Sequence, residues 1–350
     1  MAPDVAVPQP AERKLNRLGL TLPDYQGSAS TLCAGCGHDS ITNQIIRAFF
    51  EMGVEPHRVA KMSGIGCSSK TPAYFLSKSH GFNAVHGRMP AISTGAQIAN
   101  NTLITIGVSG DGDTASIGTG QFVHLLRRNV PMIYIMENNG VYGLTKGQFS
   151  ATADVGSKSK HGKENVMQPI DCCALAIELG CAFVARSFSG DTKQLAVILK
   201  AAVAHKGTSF LDIVSPCMTF NNHEGSTKSY KWARDHEQPL HEIGFVPFFE
   251  QIQADIKAGE EKDIEFPDGS HVRLKKVGDD YDPTNREQAL VSLLRTRDQG
   301  TFMTGLLYVN PKTPDFCTEL NMTDTPMALL PESQTRPPKA ALEEIMERLT

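Results

Sequence analysis

Two short polar motifs come directly after apolar runs and are typical of a site for a divalent cation. The first is SGDGD at 109–113 and the second is NNG at 138–140, so Asn139 follows Asp111 by 28 positions. A strand end, a crossover helix and a second strand fill such a gap and bring both side chains to one edge of a parallel sheet. A carboxylate, an amide oxygen and the backbone carbonyl of Val141 would suit Mg²⁺, which would bridge to a diphosphate held by backbone amides of the glycine-rich turn. The alternative is two ordinary turns, each following a strand.

Four cysteines form a second candidate site. Cys33 and Cys36 make a C-x-x-C pair, and Cys67 and Cys217 each lie in a short context of Gly, Ser or Pro. A zinc ribbon would need a second C-x-x-C or an H-x-H partner, and a thioredoxin-type dithiol normally opens a helix after a strand. Four thiolates are the usual ligands of a [4Fe–4S] cluster. Spacing alone leaves the zinc, dithiol and iron–sulfur interpretations open.

The elements that must position these residues alternate between strand and helix patterns. The predicted strands are 103–108, 131–136, 182–185 and 210–214, and the predicted helices are 121–126, 171–179 and 192–205. Continuous apolar strands separated by helices indicate an α/β fold, with a mostly parallel sheet covered by helices on both faces. Ligands of such sheets bind at the carboxyl ends of the strands, where both polar motifs and Cys217 lie.

Composition excludes several classes of protein. The 350 residues are 40% hydrophobic and 21% charged, with a net charge of −4 and a pI of about 6.3. No Lys/Arg cluster suggests a nucleic-acid partner, and no apolar run approaches the ~20 residues of a membrane helix. Without a signal-peptide pattern, a cytoplasmic protein is expected. In that compartment disulfides are rare, so Cys172, Cys173, Cys181 and Cys317 are predicted to be small hydrophobic residues.

The chain divides into three predicted segments. Residues 1–27, rich in Pro and charge, predict a flexible N-terminal leader. Residues 28–222 contain all the motifs and predict the cofactor-binding domain. Residues 223–350 include a charged, turn-rich stretch at 259–282 and many prolines at 313–338. They predict a C-terminal extension that partly wraps the domain or a partner.

Taken together, the motifs closely resemble those of the beta subunit of 2-oxoacid:ferredoxin oxidoreductases. The resemblance runs from about residue 32 to residue 217. It rests on CAGCGH at 33–38, SGIGCSSK at 63–70, HGR at 86–88, GDGD at 110–113, ENNGVYGLTKGQ at 137–148 and SPC at 215–217. It implies the thiamine-diphosphate-binding fold.

The resemblance also implies a role for each matching residue. The ligands of a [4Fe–4S] cluster would be Cys33, Cys36, Cys67 and Cys217, and those of Mg²⁺ would be Asp111, Asn139 and the carbonyl of Val141. The contacts of thiamine diphosphate would be Ile65, Gly66, Cys67, Ser68, His86, Gly112, Asp113, Gly143 and Leu144. Lys70 and Lys146 would face the substrate or coenzyme A, the alternative being solvated loop lysines. His38 and His86 could equally be structural.

The implied activity is oxidative decarboxylation of a 2-oxoacid with coenzyme A to acyl-CoA and CO₂, with electrons passing through the cluster to ferredoxin. The ENNGVYGLTKGQFS run at 137–150 resembles the 2-oxoglutarate enzymes most, and a pyruvate enzyme is the first alternative. A non-redox thiamine-diphosphate decarboxylase subunit and a structural iron–sulfur or zinc protein are the others. No segment supplies a carboxylate for the aminopyrimidine ring, which in this family comes from the alpha subunit. An alpha–beta heterodimer is therefore expected.

Overall fold

A computed structural model describes residues 14–159, 162–221, 226–239, 261–265, 271–275, 281–299 and 301–349. Its strands are β1 (Val59–Ser63), β2 (His80–Asn83), β3 (Ile104–Gly110), β4 (Met132–Asn138), β5 (Val141–Tyr142), β6 (Gln148–Phe149), β7 (Phe183–Phe188), β8 (Thr208–Val214), β9 (Glu237–Pro239), β10 (Glu261–Glu265), β11 (His271–Lys275) and β12 (Phe302–Val309). Its helices are α1 (Gly37–Glu51), α2 (Met89–Ala99), α3 (Thr119–Arg127), α4 (Cys172–Glu178), α5 (Thr192–Ala204), α6 (Tyr230–His236), α7 (Arg286–Asp298), α8 (Phe316–Glu319), α9 (Glu332–Thr335) and α10 (Lys339–Arg348).

The central sheet has eight strands in the order β2-β1-β3-β4-β8-β7-β12-β9. All neighbours from β2 to β7 pair in parallel, whereas β12 runs antiparallel to β7 and β9 pairs in parallel with β12. The predicted α/β fold with a mostly parallel sheet is confirmed. All seven elements predicted between residues 103 and 214 are present, and no end is shifted by more than three residues.

Both faces of the sheet are buried, which explains why its central strands are apolar throughout. In β4, Ile133 and Ile135 belong to the core beneath α1 and α5. The alternate residues Met132, Tyr134 and Met136 belong to the core beneath α2, α3 and α4. Successive side chains of a strand point to opposite faces, so a strand covered on both sides has no polar register. Cys172, Cys173 and Cys181 are buried in the second core, as predicted for small hydrophobic residues.

Residues 14–27 of the predicted leader pack against the domain. Tyr25 is completely buried, and its ring packs edge-on against Phe50 at a centroid distance of 5.7 Å. Asn16 Nδ2 donates to the Tyr25 hydroxyl at 2.8 Å and to the Phe50 carbonyl at 3.0 Å. Tyr25 follows a Pro in a short 3₁₀ helix, Leu22–Tyr25, so one aromatic anchor orders a segment whose composition is otherwise polar. Residues 1–13 of the predicted leader lie outside the described residues.

Beyond the predicted boundary at 222/223, parts of the chain return to the domain. Strand β12 extends the central sheet, and its residues Met303 to Val309 are buried. Helix α7 packs Ala289 and Leu293 into the second core. The apolar run FMTGLLYV at 302–309 is typical of a buried strand. It is easily overlooked because the sequence around it is charged and rich in Pro. Among the described residues, no helix combines the length and apolarity required to cross a bilayer.

Candidate active site

Four neighbouring parallel strands, β1, β3, β4 and β8, end at the same edge of the sheet. Cys67 begins a 3₁₀ helix, Cys67–Ala73, that follows β1. Asp111 follows β3, Asn139 follows β4, and Cys217 lies shortly after β8. Cys36 is the N-cap residue of α1, and His38 in the first turn of α1 contacts Ser215, the residue after β8. The predicted magnesium and cysteine residues therefore meet at one edge.

Asp111 and Asn139 lie side by side in a buried, polar corner. Asp111 is 1% exposed, and its carboxylate accepts hydrogen bonds from the amides of Asn139 (3.4 Å) and Gly140 (3.1 Å) and from hydroxyl groups of Ser150 and Thr152. Burial raises the pKa of Asp111, and these hydrogen bonds oppose that shift. A cation at this corner would stabilise the ionised carboxylate that burial penalises.

Gly112 permits a close contact over the turn that follows β3. A Cβ atom at Gly112 would lie 2.5 Å from the ring of Tyr142, so any other residue would displace that ring. The Tyr142 hydroxyl donates to the Gly112 carbonyl at 2.9 Å. The hairpin formed by β5 and β6 is thereby held against the Asp111 turn.

Two of the four predicted cysteine ligands, Cys67 and Cys217, border the same hairpin. A Cβ atom at Gly143 would lie 3.4 Å from the Cys67 sulfur and 3.6 Å from the Cys217 sulfur. Negative charge on Cys217 would oppose ionisation of Cys36, and negative charge on Cys33 would oppose ionisation of Cys67. Burial raises the pKa of Cys36 to about 12 and also raises the pKa of Cys67. Within the described residues, no three His, Cys, Asp or Glu side chains are arranged to hold a single metal ion.

Known proteins are similar to this chain in sequence and in structure. Residues 64–213 match the family described as thiamine pyrophosphate enzyme, C-terminal TPP binding domain. A 2-oxoacid:ferredoxin oxidoreductase subunit beta from Sulfolobus sp is 37% identical over 244 residues, covering 67% of this chain and 78% of that protein. The chain belongs to the beta subunits of the 2-oxoacid:ferredoxin oxidoreductases.

Two further relatives of this beta subunit carry 2-oxoglutarate in their names. The 2-oxoglutarate synthase subunit KorB of Methanocaldococcus jannaschii is 33% identical, over 67% of this chain and 88% of that protein. The solved 2-oxoglutarate:ferredoxin oxidoreductase from Magnetococcus marinus, with 2-oxoglutarate, coenzyme A and succinyl-CoA bound, superposes with a TM-score of 0.70 at 29% identity. It covers 89% of this chain and 95% of its own. The resemblance stated from the sequence is confirmed.

Asp113 of the beta subunit holds neighbouring loops together through its side chain. One carboxylate oxygen accepts from the Gly87 amide at 2.7 Å, and the other accepts from Ser109 Oγ at 2.9 Å and the Ile65 amide at 3.2 Å. Its side chain is therefore committed to protein donors. The predicted contact with thiamine diphosphate would have to come from its backbone.

The remaining predicted residues differ in their access to this edge. Ser68 is buried, whereas Ile65, Gly66 and Lys70 are half-buried. His86, Leu144 and Lys146 are exposed. Lys146 has a backbone φ of 80°, which is a left-handed conformation. This conformation costs a residue other than glycine about 1–3 kcal/mol. Neither Lys70 nor Lys146 has an ion-pair partner in the described part of the chain.

Sequence analysis missed a buried polar cluster beside the cysteines. Glu137 is fully buried at the end of β4, and His38 Nε2 lies 3.6 Å from its carboxyl group. Burial raises the pKa of Glu137 and lowers the pKa of His38 to about 4, so both neutral forms are favoured. His38 Nδ1 lies 2.6 Å from Ser215 Oγ, which gives this histidine a structural role. The signal was present, since Glu137 directly follows the apolar run 131–136.

Proposed function

We propose that this beta subunit binds thiamine diphosphate through Mg²⁺, ligates a [4Fe–4S] cluster, and with its alpha subunit oxidises a 2-oxoacid. The substrate is 2-oxoglutarate, coenzyme A accepts the acyl group, and ferredoxin accepts the electrons. The observation that carries the proposal is the position of Gly143, in the hairpin held over Gly112 and against the sulfurs of Cys67 and Cys217. The cation corner and two of the four cysteines, Cys67 and Cys217, thus share one hairpin.

The residues present fit Mg²⁺ and a diphosphate. Asp111 offers one carboxylate oxygen, Asn139 an amide oxygen and Val141 a backbone carbonyl, which are the hard oxygen ligands that Mg²⁺ prefers. The glycines around Asp111 leave backbone amides accessible to phosphate oxygens. Asn221 Nδ2 donates to the Asn139 carbonyl at 2.7 Å and so fixes the backbone that carries this ligand.

Two observations support an iron–sulfur cluster: four cysteines match the usual number of ligands, and Cys67 and Cys217 both border Gly143. Cys67 and Cys217 follow strands that end at the same edge of the sheet, and Cys36 is the N-cap residue of α1. Burial disfavours the thiolate forms of Cys36 and Cys67. A cluster binds thiolates and would therefore stabilise these ionised forms. Thr219 Oγ1 lies 3.8 Å from the Cys33 sulfur and offers that thiolate a donor.

Each group supplies one part of the chemistry when bound. Thiamine diphosphate supplies the electron sink that 2-oxoacid decarboxylation requires, and the cluster supplies one-electron transfer. The chain orients the first group through Asp111 and Asn139 and excludes water by burying this corner. Lys70 and Lys146 supply positive charge for the carboxylates of a 2-oxoacid or the phosphates of coenzyme A.

Anaerobic co-expression with the alpha subunit tests the proposal. The purified complex should contain about four irons per beta subunit and bound thiamine diphosphate, and it should reduce ferredoxin when 2-oxoglutarate and coenzyme A are both added. Stoichiometric zinc in place of iron would contradict the cluster assignment. A higher kcat/KM for pyruvate than for 2-oxoglutarate would move the substrate assignment to pyruvate.

Lys146→Ala tests the charge on the hairpin. Iron and thiamine contents should stay normal, while kcat/KM falls at least tenfold, about 1.4 kcal/mol, because the loop loses its point charge. A loss far larger for 2-oxoglutarate than for pyruvate would place Lys146 at the distal carboxylate. An equal loss would place it at coenzyme A or at the carboxylate that all 2-oxoacids share. Lys193→Ala, an exposed lysine on α5, is the control, and wild-type kinetics for Lys146→Ala would contradict the assignment.

A further inference from the structure

The two carboxylate oxygens of Asp111 have different surroundings. Oδ2 accepts from the Gly140 amide at 3.1 Å, from Thr152 Oγ1 at 2.5 Å and from Ser150 Oγ. Oδ1 has a single long contact, 3.4 Å, with the Asn139 amide. Ser150 and Thr152 are 6% and 3% exposed, so water does not compete for these hydroxyl groups. One oxygen is therefore saturated by protein donors and the other is not.

A count of hydrogens shows that both hydroxyl groups are committed to Asp111. A hydroxyl carries one hydrogen. Thr152 Oγ1 lies 2.5 Å from Asp111 Oδ2, but 2.9 Å from Ser150 Oγ and 3.0 Å from Asn138 Oδ1. The shorter contact to a charged acceptor takes the hydrogen. Ser150 Oγ accepts from the Thr152 amide at 3.2 Å, which leaves its own hydrogen for Asp111. Asn138 is held separately, since its amide donates to Asp212 at 3.0 Å.

We propose that Ser150 and Thr152 are positioning residues that fix Oδ2 of Asp111 and leave Oδ1 for the cation. This inference rests on the proposed function, in which Asp111 binds Mg²⁺. A carboxylate rotates about a broad, roughly two-fold torsion, so fixed donors on one oxygen are needed to present the other in one direction. Partners that hold a metal ligand in this way set metal affinity, and their loss typically costs about 10- to 100-fold.

The origin of the two hydroxyl groups connects this role to the hairpin. Both residues follow β6 directly, and the Ser150 amide donates to the Gly140 carbonyl at 3.2 Å. The segment that leaves the hairpin therefore turns back onto the NNG turn and onto Asp111. The hairpin that borders Cys67 and Cys217 carries Lys146. It is connected to Asp111, which is distant in sequence, by the hydrogen bonds of Ser150 and Thr152.

Mg²⁺ titration of the alpha–beta complex tests the proposal. Complexes carrying Thr152→Val, Ser150→Ala or both would be freed of metal with a chelator and titrated calorimetrically with Mg²⁺ at saturating thiamine diphosphate. The Kd for Mg²⁺ should rise about 10- to 100-fold in each single variant. Thr152→Ser, which keeps the hydroxyl, should restore a Kd close to that of the wild type. Iron content and melting temperature serve as folding controls.

Matched variants separate positioning from general loss of a buried hydroxyl. Thr94 in α2 is also buried, and its hydroxyl donates to the Pro90 carbonyl, so Thr94→Val should leave the Kd for Mg²⁺ unchanged. Wild-type Mg²⁺ affinity in Ser150→Ala and in Thr152→Val would overturn the proposal. If Thr152→Val fails to fold, Ser150→Ala decides alone. Asp111→Ala isolates the underlying assumption: unchanged Mg²⁺ affinity there would overturn the proposed metal site itself.

Discussion

Small residues matter at this site as much as the ligands do. Gly112 lies beneath the ring of Tyr142, where a Cβ atom would lie only 2.5 Å from that ring and displace the hairpin. Gly143 borders the sulfurs of Cys67 and Cys217, where a Cβ atom would lie in van der Waals contact with both. The ligands themselves are buried, with Asp111 at 1% and Asn139 at 5% exposure. Single substitutions of these residues should therefore lower the amount of bound cofactor more than they lower the stability of the fold.

Cys217→Ser should remove the cluster without unfolding the chain. The other three thiolates cannot complete the four-cysteine set, so visible sulfur-to-iron absorption should disappear and iron should fall well below about four per chain. Cys217 lies in a half-exposed loop after β8, outside both cores, so the melting temperature of the cluster-free protein should change little. Cys317→Ser, another half-exposed cysteine, is the control. Unchanged iron in Cys217→Ser would contradict its role as a ligand.

At the scale of elements, Lys61 anchors the 3₁₀ helix that begins at Cys67. Its amine donates from β1 to the carbonyls of Pro72 (2.7 Å) and Phe75 (2.6 Å) and lies 5.3 Å from the centre of the Phe75 ring. Burial lowers the pKa of Lys61 to about 8. A buried cation between two carbonyls thus connects the central sheet to the loop that carries a proposed cluster ligand.

Lys61→Met should lower the free energy of unfolding by about 1–3 kcal/mol, because two buried carbonyls lose their donor. Hydrogen exchange should accelerate at residues 74–76. Since the folded-state pKa lies below the ordinary value of 10.5, the wild type should also gain stability as pH rises from about 8 to 10.5, and the variant should not. Chemical denaturation at several pH values measures both effects. Lys193→Met is the exposed control, and equal stability of Lys61→Met and wild type would refute this role.

Helix α5 ends at a histidine whose burial makes the fold sensitive to acid. His205 packs beside Phe183 with ring centres 5.4 Å apart, and burial lowers the pKa of His205 to about 4. The unfolded chain takes up this proton near pH 6.5, whereas the folded chain does so only near pH 4. Its contribution to stability is therefore complete above pH 6.5 and is lost as pH falls toward 4.

His205→Gln should reduce the stability lost between pH 7 and pH 5 by up to about 2 kcal/mol. Urea denaturation of wild type and variant at the two pH values measures this difference. Some acid sensitivity should remain, because burial also lowers the pKa of His38 to about 4. His124→Gln, at an exposed position on α3, should keep the wild-type difference. The same loss of stability in His205→Gln and wild type would rule out this contribution.

At the scale of the whole molecule, the cofactor edge is incomplete without a partner. Asp111 and Asp113 accept several hydrogen bonds from protein groups, and Glu137 is buried against His38. Neither aspartate is therefore left to activate the aminopyrimidine ring, and burial favours the neutral form of Glu137. The apolar side chains of Val85 and Leu144 are 69% and 50% exposed near the HGR and hairpin motifs. An alpha subunit that covers this edge would supply the carboxylate and bury these side chains.

The isolated beta subunit should therefore bind thiamine diphosphate and the cluster but release no CO₂ from a 2-oxoacid. Adding purified alpha subunit should restore decarboxylation. Release of labelled CO₂ from 2-oxoglutarate, followed during a titration with alpha subunit, measures this directly and should saturate at one alpha per beta. Full turnover by the beta subunit alone would show that it contains its own activating carboxylate.

The sequence by itself determined the alternation of strands and helices and the meeting of Asp111 with Asn139. Apolar runs predict strands covered on both faces, and parallel strands place their carboxyl ends together. Residues that follow two neighbouring strands, such as Asp111 and Asn139, are therefore expected to lie close together. The sequence also determined the order of the cysteine motifs. The approach of Cys67 and Cys217 to Gly143, in contrast, depends on the tertiary structure.

Only the tertiary structure decided the contacts that depend on burial. Ser150 and Thr152 follow a hairpin, and nothing in QFSAT at 148–152 indicates that both hydroxyl groups turn back to Asp111. Strand β12 joins β7 across more than a hundred residues, and Tyr25 anchors a segment that looks unstructured. Local periodicity records which face of an element is apolar. It does not record which distant element covers that face, because that choice depends on packing across the whole domain.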